Sequence, residues 1–214
     1  MGFAVKNGQK ILCIGDSITD CGRRTEFAPL GNGYVKYFND LLIAKYPERK
    51  ITVINKGISG NTIIDLQNRW TDDVIYHKPD WLTILIGIND LHHVLRKSPD
   101  WQECVVEKFE ERYSEILSRT KKELNCGIVL LEPFYISRDN ADQWRATVLK
   151  ELKKYVNVVR KMAEKFDTKI IKLQEIFQNQ LKYRDSETFC PEPVHPNATG
   201  HIVIATNLFD AFSS

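Results

Sequence analysis

Five short runs rich in β-branched and aliphatic residues alternate with longer stretches of helical periodicity along the whole 214-residue chain. That alternation constrains the fold more than any other feature, because strands that feed crossover helices build a parallel sheet covered on both faces. The expected strands are residues 10–14, 51–55, 81–86, 127–131 and 168–172. Ile84, Leu85 and Ile86 run apolar without alternation, so the third strand is expected at the centre of the sheet. Tyr34, Phe38, Leu41 and Leu42 keep helical spacing up to Pro47, and Phe109, Tyr113, Ile116, Leu117 and Leu124 mark a second helix. Val148, Leu152, Tyr155, Val159, Met162 and Phe166 mark a third, with core packing as their expected role, and a last helix is expected over residues 198–211. No repeat or linker interrupts this pattern, so one α/β domain over residues 1–214 is expected.

Composition narrows the partners. Thirty Lys and Arg against 28 Asp and Glu leave a net charge of +2, too little for a phosphate-binding field, and nucleic acid is set aside. The basic stretch over residues 150–165 also carries Glu151 and Glu164 and reads as a solvated helix face. No apolar run approaches a membrane span, and residues 1–10 lack the apolar segment of a secretory signal, so a cytoplasmic protein is expected. Cys13, Cys21, Cys104, Cys126 and Cys190 are odd in number and form no Cys-x-x-Cys pair, as suits reduced thiols rather than a disulfide framework or a zinc site.

In parallel sheets ligands bind beyond the carboxyl ends of the strands. The loops there read Gly15-Asp16-Ser17, Gly57-Ile58-Ser59-Gly60-Asn61 and Gly87-Ile88-Asn89-Asp90. Ser17 at a strand-to-helix turn is either a nucleophile or a helix N-cap, and position alone favours the cap; Asp16 reads as a turn or capping residue. A nucleophile needs a base. His77 is expected late in a helix, His201 falls inside the last one, and His92 and His93 lack metal-ligand spacing. His195 stands in Pro191-Glu192-Pro193-Val194-His195-Pro196, a stiff loop, with Glu192 near enough to hold Nδ1–H. A solvated loop histidine is the equally weighted alternative. Gly60 and Asn89 fit donors for an oxyanion, although each alone reads as a turn residue. The glycine loops do not extend to a nucleotide-binding motif.

Gly15-Asp16-Ser17, Gly60, Gly87-Ile88-Asn89-Asp90 and Val194-His195-Pro196 occur in the order that characterises the GDSL or SGNH hydrolases, which the chain resembles. The resemblance implies a three-layer αβα fold with a flavodoxin-like, five-stranded parallel sheet, Ser17 as nucleophile and His195 as base. It further implies an oxyanion hole from the Ser17 and Gly60 backbone N–H groups and the Asn89 amide, with no cofactor. Leu30-Gly31-Asn32-Gly33-Tyr34-Val35, Asn55-Lys56-Gly57-Ile58-Ser59-Gly60-Asn61-Thr62 and Pro133-Phe134-Tyr135-Ile136 resemble its intracellular acetylxylan esterase branch. That branch implies acetylated xylo-oligosaccharide substrates and a homo-oligomer. The family places Asp where this chain has Glu192; Glu192 is taken as the acid, with Asp185 as the acidic alternative. A neutral histidine base makes activity rise with pH across roughly 6 to 7. Two other readings are a short-chain lipase or thioesterase, and a catalytically silent carbohydrate-binding protein. Arg23 and Arg24 read as solvated, and Trp70, Trp81, Trp101 and Trp144 as core residues or sugar-stacking ones.

Overall fold

The computed structural model of the chain describes residues 2–138 and 142–213. Five strands, β1 (Lys10–Gly15), β2 (Thr52–Gly57), β3 (Trp81–Leu85), β4 (Gly127–Leu131) and β5 (Lys169–Ile171), form one parallel sheet in the order β2-β1-β3-β4-β5. The third strand is central, as its unbroken apolar run requires, and Leu82, Ile84 and Leu85 are buried.

Among the described residues eight α-helices connect and cover the strands: α1 (Ser17–Asp20), α2 (Tyr34–Lys45), α3 (Ile63–Trp70), α4 (Ile88–Arg96), α5 (Val106–Glu123), α6 (Gln143–Lys165), α7 (Leu173–Gln180) and α8 (Ala198–Ala211). The chain leaves β1 toward β2, then doubles back past β1 to β3 and onward to β4 and β5. Right-handed crossovers in opposite directions put their helices on opposite faces of the sheet. Accordingly α2 packs on α8, while α5 packs on α3 and α6. The expected stripe of α6 faces inward, with Val148, Leu152, Tyr155, Val159 and Met162 buried and Phe166 half-buried.

Two local expectations change. The N-cap of α1 is Asp16, whose Oδ1 accepts from the Ile18 N–H at 2.9 Å, so Ser17 is the first helical residue and its hydroxyl is free of capping. The helix after β2 loosens into a π-turn at Thr71–Ile75, and His77 lies in the turn beyond, where its carbonyl accepts from Lys10 Nζ at 2.6 Å. Among the described residues no helix is long and apolar enough to cross a membrane.

Candidate active site

The reversal of chain direction at β1 brings three loops together. Gly15 stands opposite Gly57 in β2 and opposite Leu85 in β3, so the segments carrying Ser17, Gly60 and Asn89 leave the sheet side by side. The helix α1 lies so close to these strand ends that side chains are excluded. A Cβ on Gly57 would stand 2.2 Å from the Asp20 backbone nitrogen. Gly60 adopts a φ of +84°, a left-handed conformation that favours glycine.

His195 arrives from the opposite end of the sequence, on the loop before α8. His201, one helical turn into α8, anchors that helix: its Nδ1 accepts from the Tyr34 N–H at 3.2 Å, and its Nε2 lies 3.4 Å from Cys21 Sγ at the end of α1. Ser17 Oγ and His195 Nε2 stand 2.9 Å apart.

Glu192 does fold back on the imidazole, and its one carboxylate meets three donors. Oε1 accepts from the His195 backbone N–H at 2.8 Å and from Nδ1, while Oε2 accepts from the Val194 N–H at 3.0 Å. Partial burial alone would raise its pKa; the Val194 and His195 donors outweigh it and hold Glu192 below the usual carboxylate range. An ionised Glu192 only accepts, so Nδ1 carries the proton and Nε2 is left as an acceptor facing the Ser17 hydroxyl. Asp185 is exposed and pairs with Arg138 at 3.3 Å instead.

Open donors accompany this pair. Among the described residues neither the Ser17 nor the Gly60 backbone N–H has an acceptor, and Asn89 Nδ2 spends one hydrogen on the Asn61 carbonyl at 3.0 Å. The second Asn89 hydrogen remains. Such an arrangement can draw a proton from a hydroxyl on one side and stabilise a developing oxyanion on the other.

Several residues beyond the expected site residues hold these loops. Arg69 of α3 is the hub: Nε donates to Asn61 Oδ1 at 2.8 Å, Nη1 to the Lys56 carbonyl at 2.8 Å and to Asp73 Oδ2 at 2.6 Å, and Nη2 to the Gly15 carbonyl at 3.1 Å. One planar guanidinium therefore joins the Ser17 and Gly60 loops and steadies the residue against which Asn89 rests. Asp20 accepts from the Ser59 N–H at 3.0 Å, and Asn55 donates to the Thr19 carbonyl at 2.6 Å while accepting from the Gly57 N–H at 2.8 Å. Arg23 is half-buried, donating to the Gly57 carbonyl at 2.5 Å, and Arg24 pairs with Asp20 at 3.3 Å. Beneath the site, Asp16 and Asp90 are buried, each with one unpartnered oxygen, and burial pushes each pKa up to about 7.

The comparisons agree with this geometry. Residues 13–203 match the model of the GDSL-like lipase/acylhydrolase family. An acetylxylan esterase of Geobacillus stearothermophilus is 41% identical over 208 residues, which cover 94% of this chain and 92% of that protein. A crystal structure of a catalytic mutant of an acetylxylan esterase from the same organism superposes with a TM-score of 0.88 at 36% identity, covering 99% of this chain and 97% of that one. An alpha/beta hydrolase from the metagenome of Lake Arreo, Spain, gives a TM-score of 0.87 at 33% identity, covering 99% and 98%. With its four sequence blocks brought to one edge of a five-stranded parallel sheet, the chain belongs to the GDSL-like lipase/acylhydrolase family.

Proposed function

We propose that the chain is a serine esterase that removes acetyl groups from xylo-oligosaccharides through an acyl-enzyme intermediate. The observation that carries the reading is the continuous line from Ser17 Oγ through the His195 ring to Glu192, beside donors without acceptors. The identity to an acetylxylan esterase over nearly the whole chain supports the substrate class.

In this reading Ser17 Oγ attacks the acetyl carbonyl carbon while its proton passes to His195 Nε2. Glu192 offsets the positive charge that forms on the ring and keeps Nε2 aimed at Ser17. The carbonyl oxygen, now negative, receives the Ser17 and Gly60 N–H groups and the free Asn89 amide hydrogen. Collapse of the tetrahedral adduct expels the sugar oxygen, which takes the proton back from the imidazolium. Water then repeats the sequence on the acetyl-enzyme and releases acetate. No step calls for a cofactor.

The silent-hydrolase alternative rested on Glu192 in place of Asp, and the three donors gathered on Glu192 support turnover instead. The same reading treats residues 1–214 as one hydrolase domain working in the cytoplasm. It also includes assembly of identical chains, for which exposed Ile43 on α2 and Ile202 on α8 offer apolar surface.

The test is acetate release from acetylated xylo-oligosaccharides and from p-nitrophenyl acetate. Both activities are expected to vanish in Ser17→Ala, and Asn89→Ala is expected to lower kcat about 10²- to 10³-fold. Cleavage of the nitrophenyl ester alone would discard the xylan substrate, and a preference for long acyl chains would favour a lipase or thioesterase. Binding of the sugar with no acetate released would favour the silent protein.

A further inference from the structure

The four tryptophans have different fates. Trp70 is fully buried, Trp81 packs edge-on against Phe212 at 5.0 Å, and Lys97 Nζ covers Trp101 at 3.5 Å from its centroid. Trp144, in the first turn of α6, keeps 39% of its surface exposed.

Its surroundings lead back to the active site by two routes. Asn89, His92 and Arg96 follow at helical spacing on α4, so they share one face that starts at the Asn89 amide. His92 lies about 4.5 Å along the helix axis from Asn89, and Arg96 about 10 Å. The His92 ring is 6.2 Å from the Trp144 ring, and the Arg96 guanidinium sits 5.6 Å from the Trp144 centroid. The second route runs through Tyr135, which meets His92 edge-on at 6.2 Å; its neighbour Ile136 donates to the Pro193 carbonyl at 2.8 Å, on the loop that carries Glu192 and His195.

We propose that the exposed Trp144 ring, backed by His92 and flanked by Arg96, is the platform on which the sugar ring bearing the ester rests. A pyranose offers an apolar C–H face with a rim of hydroxyls, and an indole surface beside a guanidinium matches both. Arg96 has no carboxylate partner among the described residues, so its donors are available to hydroxyls. His92, one helical turn from Asn89, packs beside the Trp144 ring and ties it to the start of α4. An acetyl group held by Asn89 and Ser17 thus carries its sugar toward Trp144. The platform rests on the deacetylation reading given above and names where its leaving group binds.

The test compares wild type, Trp144→Ala and Trp144→Phe on acetylated xylotriose and on ethyl acetate, whose leaving group is too small to reach the platform. Trp144→Ala is expected to raise KM for the xylotriose ester and lower its kcat/KM at least about tenfold more than that of ethyl acetate, with Trp144→Phe recovering most of the loss. Equal effects on the two esters in both variants, or no effect on either, overturn the platform while leaving deacetylation intact. A wild type that cleaves ethyl acetate but not the xylotriose ester refutes the carbohydrate reading, and the platform falls with it. Calorimetry of the xylotriose ester with Ser17→Ala alone and with Ser17→Ala combined with Trp144→Phe or Trp144→Ala reads binding without turnover. Undiminished affinity in both double variants also overturns the platform.

Discussion

Glu192→Gln isolates what the carboxylate does, because the side chain keeps its shape while one acceptor becomes a donor. The carboxylate takes the His195 N–H and Nδ1–H on one oxygen and the Val194 N–H on the other. An amide turned with its oxygen toward His195 sets its NH2 against the Val194 N–H alone. Turned the other way, it meets two donors, and the imidazole keeps a partner only by moving its proton to Nε2, where it no longer accepts from Ser17. The first orientation is therefore the one populated. It leaves one backbone donor unmatched on a half-exposed loop, a stability cost of about 1 kcal/mol. In the transition state the imidazolium exchanges a carboxylate acceptor for a neutral amide oxygen, a loss of about 1–1.5 kcal/mol, or about 5- to 10-fold in kcat. Initial rates on p-nitrophenyl acetate, with KM expected within about threefold of wild type, read this directly. A kcat within twofold of wild type would refute the role given to Glu192, and a loss as deep as that of Ser17→Ala would show that the second orientation wins.

Two further outcomes follow from the groups around the site. Arg69→Ala is expected to cost about 2 kcal/mol of stability and at least about tenfold in kcat on a small ester, because the loop acceptors lose their common donor while Asp73 is left with Lys56 alone. Arg69→Lys should restore much of the stability through Asp73 but little of the rate, since an ammonium cannot span those acceptors; wild-type kcat in Arg69→Ala would exclude a positioning role. Asp90 binds a proton in the folded state up to about pH 7, raised by burial and then by the nearby Asp16 and Asp65 charges, whereas the unfolded chain releases it near 4. The native state then holds more protons over that interval, so stability falls as pH rises from about 4 to about 7, by on the order of 4 kcal/mol for this group. Urea titrations across pH 5 to 7.5 should show that decline, less steep in Asp90→Asn; the Glu192 contribution, lost only as pH falls below the usual carboxylate range, lies outside that window. An identical slope in the variant would refute the buried-proton account.

The parts that could be read early are those in which a short stretch of chain records its own burial. Unbroken apolar runs marked the strands, and the strand-to-helix turns at Gly15, Gly57 and Gly87 pointed to the site before any side chain had a partner. Even there one residue of offset changed the chemistry. Position favoured Ser17 as the cap, yet Asp16 takes it, since its carboxylate reaches the Ile18 N–H and leaves the Ser17 hydroxyl for His195.

By itself the sequence determined an alternating α/β chain, the central strand, the last helix and the residue types needed for proton transfer and oxyanion binding. Only the tertiary structure decided which polar groups meet. Arg69 reaches Gly15 across 54 residues and Lys56 across 13, contacts that exist because the sheet order puts β2 and β3 on either side of β1. Trp144 stayed ambiguous until folding covered Trp70 and left the Trp144 ring open beside His92. Periodicity records how much of a segment is buried; it holds no record of its distant neighbours, which depend on the strand order and on where each loop leaves the sheet.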